Sequence, residues 1–256
     1  MTSQRDACRR RLNFDPPGVQ RISWTTFGGS SCIHTQIAYG PSSSTSSWGS
    51  APARRTRRRC FRARYFLDPQ ALSIRRARHS TGYERELVTG LWALIPWFAK
   101  EPKLKFLTNN AGSEELAERA SYRDPWKRGQ RCIIPAASFD ESNWETGKNI
   151  WWQFSRADGA PLGLAGLWNA WTDKDTGEVH ESYTMLTLNA DHHALMRRMH
   201  KPEPKFGPDA QDKRSVIPIE AGDVDQWLAG TLEEAKQLLR LAPVEVFVAG
   251  PIVASE

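Results

Sequence analysis

Leu87-Val88-Thr89-Gly90-Leu91-Trp92-Ala93-Leu94-Ile95 reads as a buried strand, and Pro96, which has no N–H to give a ladder, ends it. Segments of the same apolar, β-branched character follow at residues 132–135, 150–154, 162–168 and 182–188, with shorter ones at 215–219 and 244–248. Helical signals are fewer. Ser113 can cap a short helix over 113–119, with Glu114 and Glu115 suitably placed in its first turn. Asn189 or Asp191 can start a helix running to 199, and two more are predicted at 221–229 and 231–241. Strands dominate without regular alternation with helices and without an internal repeat. The predicted class is therefore α+β, a single domain with a mixed, barrel-like sheet flanked by short helices.

The chain has 256 residues, of which 39% are hydrophobic and 11 are Trp, enough for one sizeable core. No stretch approaches the roughly 18–20 uninterrupted apolar residues that a membrane span needs. The N-terminus lacks the charged, apolar and small-residue layout of a secretion signal. The four cysteines, Cys8, Cys32, Cys60 and Cys132, form no CxxC pair. These features are those of a soluble, cytoplasmic protein with reduced thiols, no cofactor and no membrane partner.

Charge divides the chain more sharply than hydropathy does. Residues 1–80 hold 15 Arg, no Lys and 3 acidic residues, whereas the remainder holds 20 Lys and Arg against 26 Asp and Glu. Pro41-Ser42-Ser43-Ser44-Thr45-Ser46-Ser47 is low in complexity, and Arg54-Arg55-Thr56-Arg57-Arg58-Arg59 is a basic run. Residues 1–60 are expected to be a disordered or aberrant arm that packs little, with the domain occupying 61–256 and its pattern clear from about 84. Fifteen arginines without one lysine point to a biased or out-of-frame stretch more than to a phosphate-binding arm.

Six short segments then fall in a telling order. They are Trp92-Ala93-Leu94-Ile95-Pro96-Trp97, Asn110-Ala111-Gly112-Ser113-Glu114, Arg131-Cys132-Ile133-Ile134-Pro135-Ala136 with Ser138-Phe139-Asp140-Glu141, Leu164-Ala165-Gly166-Leu167-Trp168, Thr184 to Ala190, and Arg198-Met199. Together they resemble the SOS-response-associated peptidase family, whose members capture abasic sites in single-stranded DNA. The resemblance implies that Asn110 is an active-site amide that orients the sugar or polarises a developing oxyanion. It implies that Glu141 is a proton shuttle, tuned upward by partial burial, for imine formation and for release of the initiator methionine. The family's His-x-Arg-Met-Pro puts Met196 where its histidine should be; His200 is the candidate in its place, with His192 and His193 as alternatives. Three clustered histidines also raise zinc, but no spacing of two ligands with a third Cys or Asp is evident, and no metal is expected.

For DNA contact the candidates are Trp92 and Trp97 as stacking surfaces, Arg131 and Arg198 on phosphates, and Thr187 beside them. The implied partner is single-stranded DNA containing abasic sites, bound by a monomer that is nucleoid-associated when on DNA. Gly112 stands where the family has a phosphate-holding arginine, which removes one charge-assisted contact. The family traps the ring-opened aldehyde as a thiazolidine on an N-terminal cysteine, which needs amine and thiol on one residue. Position 2 here is Thr2, and Cys8 is the nearest thiol. Either the true start is missing from this translation or the nucleophile has gone; the expectation is the first. For the chain as written, an α-amine can still form a reversible Schiff base, so weak lyase activity and no stable crosslink without reduction are expected.

Overall fold

The computed structural model describes residues 20–27, 30–37, 70–78, 82–207 and 210–252. Its strands are β1 (Gln20–Phe27), β2 (Ser30–Ile37), β3 (Gln70–Arg76), β4 (Arg85–Trp92), β5 (Asn110–Gly112), β6 (Arg131–Ala136), β7 (Ser138–Asn143), β8 (Ile150–Arg156), β9 (Leu162–Thr172), β10 (Val179–Asn189), β11 (Arg214–Val216) and β12 (Phe247–Pro251). The α-helices are α1 (Ala120–Lys127), α2 (Val224–Ala229) and α3 (Leu232–Gln237).

Five strands close on themselves in the order β10-β4-β3-β6-β9 and back to β10, so the expected barrel-like α+β fold is present. The ring is mixed: β10 runs parallel to β4, and the other four pairs within the ring are antiparallel. Closure depends on a close approach at Gly166, which faces Cys132 on β6 and Met185 on β10. A Cβ there would lie 2.8 Å from the Thr184 carbonyl oxygen and 2.9 Å from Cys132 Sγ, so only glycine lets the strands meet. Beyond the ring, the last part of β10 carries β5 on one edge and β11 on the other.

At Ala137 the chain leaves the barrel, and β7 enters a second sheet ordered β12-β8-β7-β1-β2. Phe139 stacks on Phe154 at 4.9 Å, with Phe247 edge-on to both at 5.8 and 6.2 Å. These rings join Met185, Met196 and Met199 in one core. A second core lies under the helices, where Trp227 is fully buried and donates from Nε1 to the Cys132 carbonyl at 2.8 Å. Thr231 and Glu234 form a capping box that starts α3 where the sequence places it.

The structure departs from the sequence reading at several elements. Gln20–Phe27 and Ser30–Ile37 are paired strands, and β1 runs parallel to β7, so the arm is not without structure at these residues. The signal was present: Gly28-Gly29 separates two runs of β-forming residues, a two-residue hairpin spacing. The rest of residues 1–60 lies outside the described residues. The predicted helix at 113–119 is a single 3-10 turn, Ser113–Glu115, and the helix is α1, which tolerates Pro125 inside it. The helix expected to reach 199 shrinks to the 3-10 turn Met196–Arg198, and the final strand starts later, at Phe247.

Gly166→Ala is expected to lower stability by about 1–3 kcal/mol, because the new methyl meets backbone that cannot move without opening the ring. A urea midpoint unchanged from wild type would mean that the barrel does not close at this contact.

Candidate active site

β7 reads Ser138-Phe139-Asp140-Glu141-Ser142-Asn143, and every residue of it is buried. Burying this many polar side chains is costly unless each is satisfied, so a strand of this kind is a candidate functional element. Glu141 and His200 meet there: Glu141 Oε2 lies 2.9 Å from His200 Nε2, with side-chain exposures of 2% and 9%. The approach is ion-pair close but off the axis of a well-formed hydrogen bond, leaving both groups capacity for a further partner. Burial pushes the Glu141 carboxyl up from its ordinary value, while the His200 charge and contact pull against that rise.

His200 is held with unusual firmness. Its φ is +62°, a left-handed conformation that a non-glycine residue adopts at a cost of about 1–3 kcal/mol. The surrounding contacts over-determine it. The His200 N–H donates to the Ser142 carbonyl at 2.6 Å, and Lys213 Nζ donates to the His200 carbonyl at 2.7 Å. Lys213 is itself buried, and burial lowers its pKa against the opposing pull of Asp191. His200 Nδ1 has no hydrogen-bond partner among the described residues. Of the alternatives, His192 is exposed and His193 is structural: its Nε2 contacts the Ala242 carbonyl at 2.9 Å and its Nδ1 accepts from Met196 N–H at 3.1 Å. Lys213 had no signal in the sequence beyond its charge.

Asn110 opens β5 and pairs with Met185 on β10, and its carbonyl accepts from Tyr122 at 3.1 Å. It closes a loop that begins at Trp92. Trp92 Nε1 donates to the Asn109 carbonyl at 2.8 Å, and Asn109 Nδ2 donates back to the Trp92 carbonyl. Trp92 is therefore a buried clasp, not a stacking surface. The loop displays what Trp92 does not. Trp97 is 61% exposed, edge-on to Phe98 at 5.7 Å, and Phe98 stacks on Phe106 at 6.4 Å. Exposed Lys100, Lys103 and Lys105 lie among these rings in the chain.

Two expected DNA contacts are internal instead. Arg131 is buried and donates from Nε to the Trp227 carbonyl and from Nη2 to the Gly230 carbonyl, capping the end of α2. Thr187 is buried between β5 and Arg214. Arg198 is at the surface but engaged: it grips Glu145 at 2.8 and 2.9 Å and lies over Trp152 at 4.9 Å. Arg198, helped by Asn143, draws the Glu145 carboxyl down to about 2. Beside Gly112, the space is taken by Arg214, whose Nη2 would sit 2.9 Å from a Cβ at that position. Arg214 is anchored by Glu114 at 2.7 Å. Among the described residues no cluster of three His, Cys, Asp or Glu is placed to hold a metal ion, and no helix is long and apolar enough to cross a membrane.

The family model described as SOS response associated peptidase (SRAP) matches residues 32–254. An abasic site processing protein HMCES from Xenopus tropicalis is 28% identical over 144 residues, covering 48% of this chain and 43% of that protein. An abasic site processing protein YoqW from Bacillus subtilis is 31% identical over 128 residues, covering 50% of this chain and 55% of that one. The matches thus span about half the length of these curated relatives. A crystal structure of a Bordetella bronchiseptica protein superposes with a TM-score of 0.63 at 36% identity, covering 72% of this chain and 84% of that chain. One from Bacteroides thetaiotaomicron, at 24% identity and a TM-score of 0.58, shares the fold.

The raised Glu141 carboxyl has a consequence for stability. A group whose folded pKa lies above its unfolded value, near 4.3 for Glu, stabilises most below that value, and the stability is lost as pH rises towards the folded pKa. Glu141→Gln cannot ionise, so its stability relative to wild type is expected to improve as pH is raised from about 4. Denaturant midpoints across pH check this; a difference that does not change with pH would show that Glu141 is not held up by burial.

Proposed function

From the premise that this chain belongs to the SOS response associated peptidase (SRAP) family, we propose that it processes abasic sites in single-stranded DNA. The observation that carries the reading is the buried contact between Glu141 and His200. An abasic sugar presents an aldehyde when its ring opens. Capture by an amine forms a C–N bond while the carbonyl oxygen takes up protons and leaves as water, so protons must be moved in both directions. A carboxyl raised by desolvation, in contact with an imidazole that can accept or donate a proton, suits that task. The same pair serves self-processing of the N-terminus, and the captured product is a protein–DNA crosslink or, after β-elimination from an imine, a cleaved strand. Asn110, at the end of the Trp92–Asn109 clasp, orients the sugar.

DNA is held by the loop that ends at Asn110. Base stacking on Trp97, Phe98 and Phe106 fits a single strand, whose unpaired bases expose their faces, and the neighbouring lysines match its phosphates. The protein works as a monomer in the cytoplasm, on the nucleoid when bound to DNA.

Incubation with an abasic oligonucleotide, with and without borohydride, followed by a denaturing gel, tests the chemistry. Wild type is expected to give a shifted band with reduction, and Glu141→Gln and His200→Ala to form it about 10²–10⁴-fold more slowly. Tight binding with no covalent band under either condition would mean a non-catalytic single-strand-binding module. Trp97→Ala is expected to weaken binding of the undamaged single strand by roughly 5- to 150-fold, the value of one lost stacking contact. An unchanged Kd would remove this loop from the interface.

A further inference from the structure

A basic cavity lies apart from Glu141 and His200. About 400 Å³ in volume, it is lined by Arg76, Arg78, Lys127, Arg128, Arg131 and Trp168 among others, and no Asp or Glu lines it. This is unusual for the molecule. Residues 81–256 carry more acidic than basic side chains, and several exposed arginines elsewhere are paired, as Arg85 is with Asp225, Arg119 with Glu115 and Arg240 with Asp223. Arg76, Lys127 and Arg128 are exposed and make no ion pair among the described residues, while Arg78 shares Glu181 with Arg75. Arg75 and Arg78 both lie over the Trp168 ring, at 3.9 and 4.7 Å, which holds one wall in place. Like charges gathered around a concavity repel one another, and without internal carboxylates their field is directed at a bound anion.

We propose that this cavity is a second nucleic-acid contact that holds backbone phosphates of the strand flanking the lesion. The proposal rests on the reading of the protein as a single-strand DNA processor. Geometry sets the register. Arg131 opens β6 and Glu141 lies ten residues on along β6 and β7, so the two places are at most about 33 Å apart at 3.3 Å per residue. About ten stacked nucleotides, at 3.4 Å each, cover that distance. A strand of that length captured at the pair is therefore long enough to reach Arg76 and Arg128. Four stacked nucleotides, at about 3.4 Å each, cover less than half of that bound.

The test is a triple variant, R76A/K127A/R128A, which alters only exposed side chains and leaves Arg131 capping α2. Binding is measured against salt concentration with abasic single strands of about 20 and about 4 nucleotides. On the long strand the variant is expected to bind on the order of tenfold more weakly, with a log–log salt slope shallower by about 2, three phosphate contacts at roughly 0.7 each. The short strand is expected to bind wild type and variant within about twofold, and R76K/R128K to restore the long-strand affinity. An unchanged long-strand slope, or an equal loss on both strands, overturns the proposal. Failure of wild type to bind either strand would instead overturn the DNA reading on which it rests.

Discussion

A carboxylate with 2% of its side chain exposed sits 2.9 Å from an imidazole, and much of the fold can be understood as what that contact demands. Removing a carboxyl from water is tolerated only when the group is neutralised or paired. Here both happen in part: burial raises Glu141 towards its neutral form, and His200 offers a partner for the ionised one. The position of His200 is fixed by its neighbours and not by local preference. Its left-handed backbone persists because Ser142 holds its N–H and Lys213 holds its carbonyl. The strain and the buried polar strand are of the kind retained where a geometry is needed for chemistry.

The barrel supplies the rigidity that such a site needs. β6 lies within the ring and β7 follows after one residue, so the position of Glu141 is inherited directly from the closed sheet. β10 performs the same service on the other side. It closes the ring with β9, then carries β5, which presents Asn110, and β11, which continues from Lys213. Glu141 and Asn110 are thus borne on strands, while the exposed aromatic residues Trp97, Phe98 and Phe106 ride on a loop clasped at its base by Trp92 and Asn109.

Much of this was legible in the sequence. Periodicity found the central strands of the barrel, since β4, β6, β9 and β10 are apolar enough to announce themselves. β7 escaped periodicity because its buried residues are polar, and it was found only as a motif. Short elements differ from the sequence reading where tertiary contacts override propensity: Glu114 bonds the Asn189 N–H and Arg214, and its segment stops after a single 3-10 turn. Motif matching singled out Glu141 and left His200 as one of three candidate histidines; the folded chain brings these two into contact. The motifs could not tell a surface arginine from a buried one, because Arg131 spends its guanidinium on carbonyls at the end of α2, nearly a hundred residues away in sequence. Arg214 beside Gly112 is likewise a relation that only the folded chain reveals.

The central claim is that desolvation, moderated by His200, holds the Glu141 carboxyl above its ordinary range. Carbon-detected NMR titration of the Glu141 side chain, in the wild-type chain and in His200→Ala, reads this directly. The account requires a midpoint clearly above the ordinary value of about 4.3, moving further up when the imidazole is removed. A midpoint at or below the ordinary value, or one that falls on loss of His200, would contradict it.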